Sequence, residues 1–231
     1  MSGVKSLVLF DIDGTLVRGG PAKPAFRDAL LRVFGTTGPI DTHSFSGKTD
    51  PQIARELLVE AGLDAPAVDR GLPDLWDAYL AGLEAGLAGH PMDLLTGARD
   101  LVEHLAEEPD VALGLVTGNV ERGAWLKLRS VGLESWFPVG GYGSDHEHRN
   151  HLPGIAVDRA QRHWGVDFQP DAVVVVGDTP RDVECGRWFG ARTVAVCTGS
   201  YSAEDLAGCG AHHVLESFED VEASVRAVLA S

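Results

Sequence analysis

Four short apolar runs constrain the fold of this chain more than any other feature of its sequence. They lie at residues 7–10, 112–116, 172–176 and 193–197, and none of them alternates polar with apolar side chains. Strands that lack this alternation are buried on both faces, as in parallel sheets. Segments of helical period separate the runs, so the pattern predicts an α/β fold. We expect a three-layer, Rossmann-like core in which a parallel sheet lies between helices.

Residues 19–89 differ in character from the rest of the chain. They contain helix-like stretches but no convincing strand, and glycine or proline marks both ends, at 19–20 and 89–91. This pattern predicts a second, all-α domain inserted after the first strand, with residues 1–18 and 90–231 forming the core. The predicted helices of the insert lie around residues 24–34, 51–61 and 75–87.

Charge and composition narrow the classes of partner. The formal net charge of −15 disfavours nucleic acids and anionic membranes, because both would be repelled over much of the surface. The first apolar run ends at Asp11, which makes it too short for a signal peptide or a membrane span. Three cysteines without a CxxC pair fit a reducing compartment. We therefore expect a cytoplasmic protein, a monomer or homodimer, that binds neither nucleic acid nor membrane.

Two carboxylates follow the first apolar run directly, in the sequence Asp11-Ile12-Asp13-Gly14-Thr15. Side chains two residues apart on a strand share one side, so Asp11 and Asp13 can face the same small site. That site lies at the carboxyl edge of the sheet, where open α/β folds bind ligands. Because crowded carboxylates repel each other, the pair favours a bound cation. The pair therefore indicates metal binding or acid–base chemistry.

Two further polar groups follow the third and second apolar runs. Asp178 and Asp182 come after the third run, and carboxylates from a separate strand end suit Mg²⁺. Asp178 is the first choice as a metal ligand, whereas Asp182 either binds the metal through water or orients the other ligands. Thr117, Gly118 and Asn119 come after the second run, and a hydroxyl with free backbone amides at a strand-to-helix junction can cradle a phosphate.

These three groups together resemble the signature motifs of a known superfamily. Residues 11–15, 115–119 and 175–182 read DIDGT, LVTGN and VVGDTPRD, which resemble, in that order, the motifs of the haloacid dehalogenase-like (HAD) phosphohydrolases. The resemblance covers the whole core and implies that the helical insert is a small cap domain. It is closest to phosphoglycolate phosphatase-like members, which act on small phosphorylated metabolites with Mg²⁺ through an aspartyl phosphate.

The same resemblance implies a role for each matching residue. Asp11 would attack phosphorus, and Thr117 would bind the phosphoryl group. Asp13 would protonate the leaving oxygen and later deprotonate water. Asp178 would bind Mg²⁺ together with Asp11 and the backbone carbonyl of Asp13.

The basic residue of the family departs from its usual pattern in this sequence. The family usually has a Lys followed by Pro before the last motif, but residues 149–153 read RNHLP, and no lysine follows Lys127. We assign Arg149 as the cation that contacts the phosphoryl group and Asp11, with His151 as the alternative. Lys48 is the candidate contact to the leaving group, although an exposed lysine at a capped helix N-terminus is nearly as good an interpretation.

Several alternatives bear on the function. Asp13 and Asp178 argue against a dehalogenase, which needs no metal and no second acid. A sugar phosphomutase of the same superfamily and a non-catalytic phosphate-binding regulatory protein remain open. The acids and histidines at 145–151 are interpreted as a solvated loop rather than a zinc site, because they lack a cysteine and helical HExxH spacing. The sequence does not distinguish phosphoglycolate from a sugar phosphate or a nucleotide as substrate.

Overall fold

The computed structural model describes residues 4–230, which contain eight strands and nine α-helices. The strands are β1 (Ser6–Phe10), β2 (Val17–Arg18), β3 (Asp93–Leu94), β4 (Val111–Thr117), β5 (Gly140–Tyr142), β6 (Val173–Gly177), β7 (Arg192–Val196) and β8 (His213–Leu215). The helices are α1 (Ala22–Phe34), α2 (Asp50–Glu60), α3 (Ala65–Gly89), α4 (Ala98–Glu107), α5 (Glu121–Ser130), α6 (Leu152–Trp164), α7 (Pro180–Phe189), α8 (Ala203–Gly208) and α9 (Val221–Leu229).

Six of these strands form one parallel sheet in the order β5-β4-β1-β6-β7-β8. The central strand β1 pairs with β4 on one side and with β6 on the other, so Leu7 lies opposite both Ala112 and Val173. The four predicted apolar runs become β1, β4, β6 and β7, each shifted by no more than about one residue. Ala172 ends a short 3₁₀ turn instead of beginning its strand. The predicted α/β fold with a parallel sheet is confirmed.

Helices cover both faces of the sheet because successive residues of a buried strand point to opposite sides. On one side, Val8 and Phe10 pack with residues of α4, α5 and α9. On the other side, Leu7 and Leu9 pack with residues of α6 and α7. This arrangement gives the three layers that the uninterrupted apolar runs predicted. Among residues 4–230, no helix has both the length and the apolar character needed to cross a lipid bilayer.

The sequence patterns missed the two outer strands, β5 and β8. Strand β5 consists of Gly140, Gly141 and Tyr142, and glycine normally argues against a strand. A side chain at Gly141 would place its Cβ 2.2 Å from the carbonyl oxygen of Leu152, so the close approach of α6 to the sheet requires glycine there. Strand β8 has three residues and an exposed His213, which leaves little apolar pattern to detect.

Helices α1, α2 and α3 lie in the segment between β2 and β3, where three helices were predicted. Strands β2 and β3 pair with each other in antiparallel fashion, so both ends of this segment leave the core side by side. Helix α1 packs along α3, with the ring of Phe26 set edge-on against that of Tyr79 at 5.2 Å between centroids. Thr49 caps the N-terminus of α2, and Asp64 caps that of α3.

Candidate active site

The three sequence motifs meet at one edge of the sheet. The carboxyl ends of the neighbouring strands β1, β4 and β6 border a cavity of about 610 Å³. Every predicted site residue except Asp182 lines this cavity, and Asp182 lies directly behind it in contact with Arg149. The predicted residues on the cavity wall are Asp11, Asp13, Lys48, Thr117, Gly118, Asn119, Arg149 and Asp178.

Three carboxylates form a buried acid cluster at the base of the cavity. Oxygens of Asp11, Asp178 and Asp182 all lie within 4.8 Å of one another, and none of these residues is more than 5% exposed. Gly14 makes room for the cluster, since its φ of +89° is left-handed and a Cβ there would lie 2.3 Å from an oxygen of Asp178. Thr15 Oγ1 donates to Asp178 Oδ1 at 3.1 Å.

The electrostatics of the acid cluster fit a divalent cation. Burial raises the pKa of Asp11 to about 7, with attraction to Arg149 opposing the rise and repulsion from Asp182 adding to it. Burial and repulsion from Asp182 raise the pKa of Asp178 to about 8. Neither carboxylate therefore has enough positive charge nearby to stabilise its ionised form. Hard oxygen donors from separate strand ends are the ligands that Mg²⁺ prefers, so the donor set fits this ion.

Asp182 is held by protein groups on both of its oxygens. Its Oδ2 accepts from the backbone N–H and the hydroxyl of Thr179, at 3.0 and 2.6 Å, and completes the cap of α7. Its Oδ1 accepts from Arg149 Nη2 at 2.5 Å. Of the two roles predicted for Asp182, binding the metal through water or orienting the other ligands, this arrangement favours the second.

Arg149 is the cation of the acid cluster. It lies in a 3₁₀ turn just before α6 and is 5% exposed. Its Nη2 donates to Asp11 Oδ1 at 2.9 Å as well as to Asp182. Burial opposes the charge, but attraction to both aspartates raises the pKa of Arg149 well above its ordinary value. His151, the alternative, is exposed and does not line the cavity.

The carboxylate of Asp13 points away from the acid cluster. It accepts from Lys127 Nζ at 2.8 and 2.7 Å and from Asn119 Nδ2 at 2.7 Å. Of the four predicted metal ligands, Asp13 is thus the one whose side chain lies outside the cluster. The resemblance assigned the metal contact of this residue to its backbone carbonyl, and that prediction does not depend on where the side chain lies.

The loop that follows β4 forms another part of the cavity wall. Asn119 Nδ2 donates to Thr117 Oγ1 at 2.8 Å, which fixes the hydroxyl next to the free end of the strand. The Gly118 carbonyl accepts from the backbone N–H of Asp50 at 2.7 Å. The first residues of α2 therefore rest directly on the predicted phosphate-binding loop.

Cations from the α1–α2 segment line the outer part of the cavity. Lys48 Nζ lies 2.5 Å from Glu56 Oε2 and 3.1 Å from His43 Nε2. Lys23 Nζ lies over the ring of Phe45, 5.3 Å from its centroid. A protein of net charge −15 thus places these two lysine side chains at this cavity. Lys48 lies in the cavity as predicted, but it is paired rather than free.

Lys127 is a site residue that the motifs did not reveal. It lies on α5 and is 4% exposed, although lysine is rarely buried unless it is paired. Helical spacing carried a signal, because Lys127 shares the buried face of α5 with Gly123, Ala124 and Leu128. A lysine on an otherwise apolar helix face needs an acceptor inside the protein.

Comparisons with known proteins agree with this geometry. The family model described as haloacid dehalogenase-like hydrolase matches residues 8–196. A phosphoglycolate phosphatase from Synechococcus elongatus is 29% identical over 218 residues, which cover 93% of this chain and 94% of that protein. An N-acetylmuramic acid 6-phosphate phosphatase from Pseudomonas aeruginosa is 28% identical over 201 residues, covering 86% and 84%.

A solved structure supports the fold. The crystal structure of a hydrolase from Pseudomonas syringae superposes with a TM-score of 0.73 at 21% identity and covers 98% of this chain and 100% of that one. Together, the comparisons confirm the resemblance drawn from the motifs and the enzyme class that it implied, a phosphatase. The chain therefore belongs to the haloacid dehalogenase-like hydrolase family.

Proposed function

We propose that the protein is a Mg²⁺-dependent phosphomonoester hydrolase, phosphoglycolate phosphatase-like, that acts on a small phosphorylated metabolite through an aspartyl phosphate on Asp11. The observation that carries the proposal is the position of Asp11, which lies buried at the base of the cavity. One of its oxygens is held by Arg149 at 2.9 Å, and Asp178 lies beside it in the acid cluster. Such a fixed, desolvated carboxylate suits nucleophilic attack.

The surrounding groups have complementary roles in this proposal. Asp11 attacks phosphorus, while Arg149 and the Thr117–Asn119 loop hold the phosphoryl oxygens. Asp13 gives a proton to the leaving oxygen and takes one from water when the aspartyl phosphate is hydrolysed. Asp11, Asp178 and the backbone carbonyl of Asp13 would hold Mg²⁺. When bound, this ion supplies positive charge that stabilises the transferring phosphoryl group.

The proposal also includes a domain division and a location. Residues 19–89 form the cap and residues 1–18 and 90–231 the core, a division supported by the pairing of β2 with β3 at both ends of the helical segment. The cap carries Lys48 to the cavity and can close over the substrate. The proposed compartment is the cytoplasm.

Phosphate release from a panel of small esters tests the proposed activity. With Mg²⁺, the purified protein is expected to release inorganic phosphate from an aryl phosphate and, faster, from at least one ester on the panel. Isomerisation of a sugar phosphate without phosphate release would instead indicate a mutase. Binding without turnover of any ester would indicate a regulatory protein.

Metal dependence should be visible in stability as well as activity. A carboxyl group whose pKa is raised on folding binds more protons in the folded state, so the metal-free fold loses stability as pH rises. For Asp11 and Asp178 this loss runs from about pH 4 to their pKa values of about 7 and about 8. Mg²⁺ requires the ionised carboxylates, so we expect it to raise the melting temperature by several degrees at about pH 8 and very little at about pH 5.

Thermal denaturation with Mg²⁺ or with a chelator measures this difference. The Asp178→Asn variant is the matched control, and it should lose most of the shift at the higher pH. Excess chelator should also abolish phosphate release by the wild-type protein. An equal thermal shift at both pH values, or full activity in chelator, would contradict a metal at the acid cluster.

The cations of the outer cavity favour a substrate that carries a carboxylate in addition to its phosphate. Lys48 is 15% exposed at its side chain and faces the cavity together with Lys23 and His43. Phosphoglycolate and N-acetylmuramic acid 6-phosphate, which the relatives named above act on, are both phosphate esters of acids. When the phosphate lies at Asp11, a second negative group on the substrate would meet Lys23 and Lys48, and it would compete with Glu56 for the ammonium group of Lys48.

The Lys48→Gln variant tests this preference. We expect it to raise KM for phosphoglycolate about tenfold, the effect of losing about 1.4 kcal/mol of charge-assisted binding. The KM for ethyl phosphate, which lacks the carboxylate, should change less than about twofold in the same variant. Lys5→Gln, on an exposed lysine paired with Asp110, is the matched control. Equal changes for both substrates would contradict carboxylate recognition by Lys48.

A further inference from the structure

We infer that Lys127 is a positioning residue that holds the carboxylate of Asp13 in place for proton transfer. This inference rests on the proposed function, in which Asp13 is the acid and base. Neither the sequence motifs nor the roles proposed above include Lys127. The inference concerns the orientation of Asp13, since Lys127 does not contact the reacting atoms in this arrangement.

The hydrogen bonds of Lys127 account for all the donors of its ammonium group. Its Nζ donates to Asp13 Oδ1 at 2.8 Å, to Asp13 Oδ2 at 2.7 Å and to Asn119 Oδ1 at 2.6 Å. An ammonium has three N–H donors, so these contacts use its full capacity. The side chain of Lys127 lies on the buried face of α5, and this burial fixes the position of the ammonium group.

Asp13 depends on these contacts for its orientation. Its side chain is 43% exposed, so packing alone does not select one rotamer. Within residues 4–230, its carboxylate receives hydrogen bonds from Lys127 and Asn119. Removal of Lys127 would leave one amide contact and a carboxylate free to rotate into the cavity.

Asn119 links this pair to the phosphate-binding loop. Its amide nitrogen donates both to Asp13 Oδ2 and to Thr117 Oγ1, at 2.7 and 2.8 Å, while its amide oxygen accepts from Lys127. The network therefore fixes the distance between the acid–base carboxylate and the hydroxyl proposed to hold the phosphoryl group. Proton transfer to a leaving oxygen depends steeply on that distance.

A purely structural role for Lys127 accounts less well for these contacts. A buried ion pair is often no more stabilising than apolar side chains of similar volume, and the other buried residues on this face of α5 are apolar. Methionine has a similar length and no charge, so it would satisfy packing at this position. The three donors of this lysine all contact Asp13 or Asn119, which is better explained by a role in holding the carboxylate of Asp13.

A double-mutant cycle on two kinds of substrate tests the inference. The proteins are wild type, Lys127→Met, Asp13→Asn and the double variant. The substrates are an alkyl phosphate, whose leaving oxygen needs a proton, and p-nitrophenyl phosphate, whose leaving oxygen does not. The quantity compared is kcat/KM, because it covers the steps up to phosphoryl transfer to Asp11.

If Lys127 acts through Asp13, replacing Lys127 should affect kcat/KM in the same way as replacing Asp13, but less strongly. We expect Lys127→Met to lower kcat/KM for the alkyl phosphate by about 10- to 100-fold and for the aryl phosphate by less than about threefold. Asp13→Asn should lower the alkyl value by about 10²- to 10⁴-fold. For the alkyl phosphate, kcat/KM of the double variant should lie within about threefold of that of Asp13→Asn, because the two residues act as a unit.

Opposite outcomes would overturn the inference. Equal losses on both substrates, or losses that multiply in the double variant, would show that Lys127 does not act through Asp13. If Lys127→Met does not fold by circular dichroism, Lys127→Gln retains N–H donors without the charge, and the same cycle is run with it. Wild-type protein no more active than Asp11→Asn would refute the proposed function itself, whereas an active wild type with a multiplicative cycle refutes the role of Lys127 alone.

Discussion

Replacing Asp11 with Asn is expected to slow phosphate release by about 10⁴-fold or more, a loss typical of removing a catalytic nucleophile. The amide keeps the size and shape of the carboxylate, so the buried pocket around it need not rearrange. It cannot form the acyl phosphate, because a neutral amide is a far weaker nucleophile than a carboxylate. The variant also carries one less negative charge in the acid cluster, which should favour folding of the metal-free protein.

Measurements on the variant separate these two effects. Phosphate release with Mg²⁺ gives the activity, and thermal denaturation without metal gives the stability, which should be equal to or higher than that of wild type. Asp28→Asn, on an exposed aspartate of α1, is the matched control and should change neither. An Asp11→Asn protein that retains activity within tenfold of wild type would rule out the aspartyl phosphate.

The sheet could be predicted from sequence where burial determines composition. Strands β1, β4, β6 and β7 lie inside the sheet, and covering both faces with helices requires uninterrupted apolar residues. The outer strands β5 and β8 escape this requirement, because an edge strand needs fewer apolar contacts. In β5, glycine reflects the contact with α6, a constraint that depends on the tertiary structure and leaves no local pattern.

The candidate site was predictable to the extent that its residues directly follow strands. Asp11, Thr117 and Asp178 each end or follow a buried strand, and the parallel arrangement alone brings such positions together. Lys127 instead approaches from the middle of α5, and its meeting with Asp13 depends on how that helix packs. Hydrogen bonding then determines which predicted acids share a cluster, and this could not be derived from spacing.

The net charge of the protein and the charged groups of the cavity act differently on an anionic substrate. Net charge −15 repels an anionic substrate at long range, but the cavity contains Arg149, Lys127 and Lys48, each paired with a carboxylate. Pairing leaves the acid cluster negative, since within residues 4–230 one guanidinium pairs with two of its three carboxylates, Asp11 and Asp182. A phosphate dianion can approach this cluster closely if a divalent cation is already bound.

Replacing Arg149 tests whether this single cation supports both the fold and the chemistry. We expect Arg149→Met to lower turnover by about 10²- to 10³-fold, the usual effect of losing one preorganised donor to a reacting anion. It also removes the partner of two buried carboxylates, Asp11 and Asp182, and breaking such a pair costs about 3–5 kcal/mol. In chelator, that cost should lower the melting temperature by about 10 °C for a domain of this size.

Arg149→Lys separates charge from geometry in the same position. Lysine keeps the positive charge but lacks the planar fork that lets Nη2 serve Asp11 and Asp182 together. If charge dominates, Arg149→Lys should retain most of the thermal stability and lose less than about tenfold in turnover, well above the Arg149→Met protein. If Arg149→Met instead matches wild type in turnover while losing stability, Arg149 acts as a structural counter-ion, and the phosphoryl group must be held by other groups of the cavity.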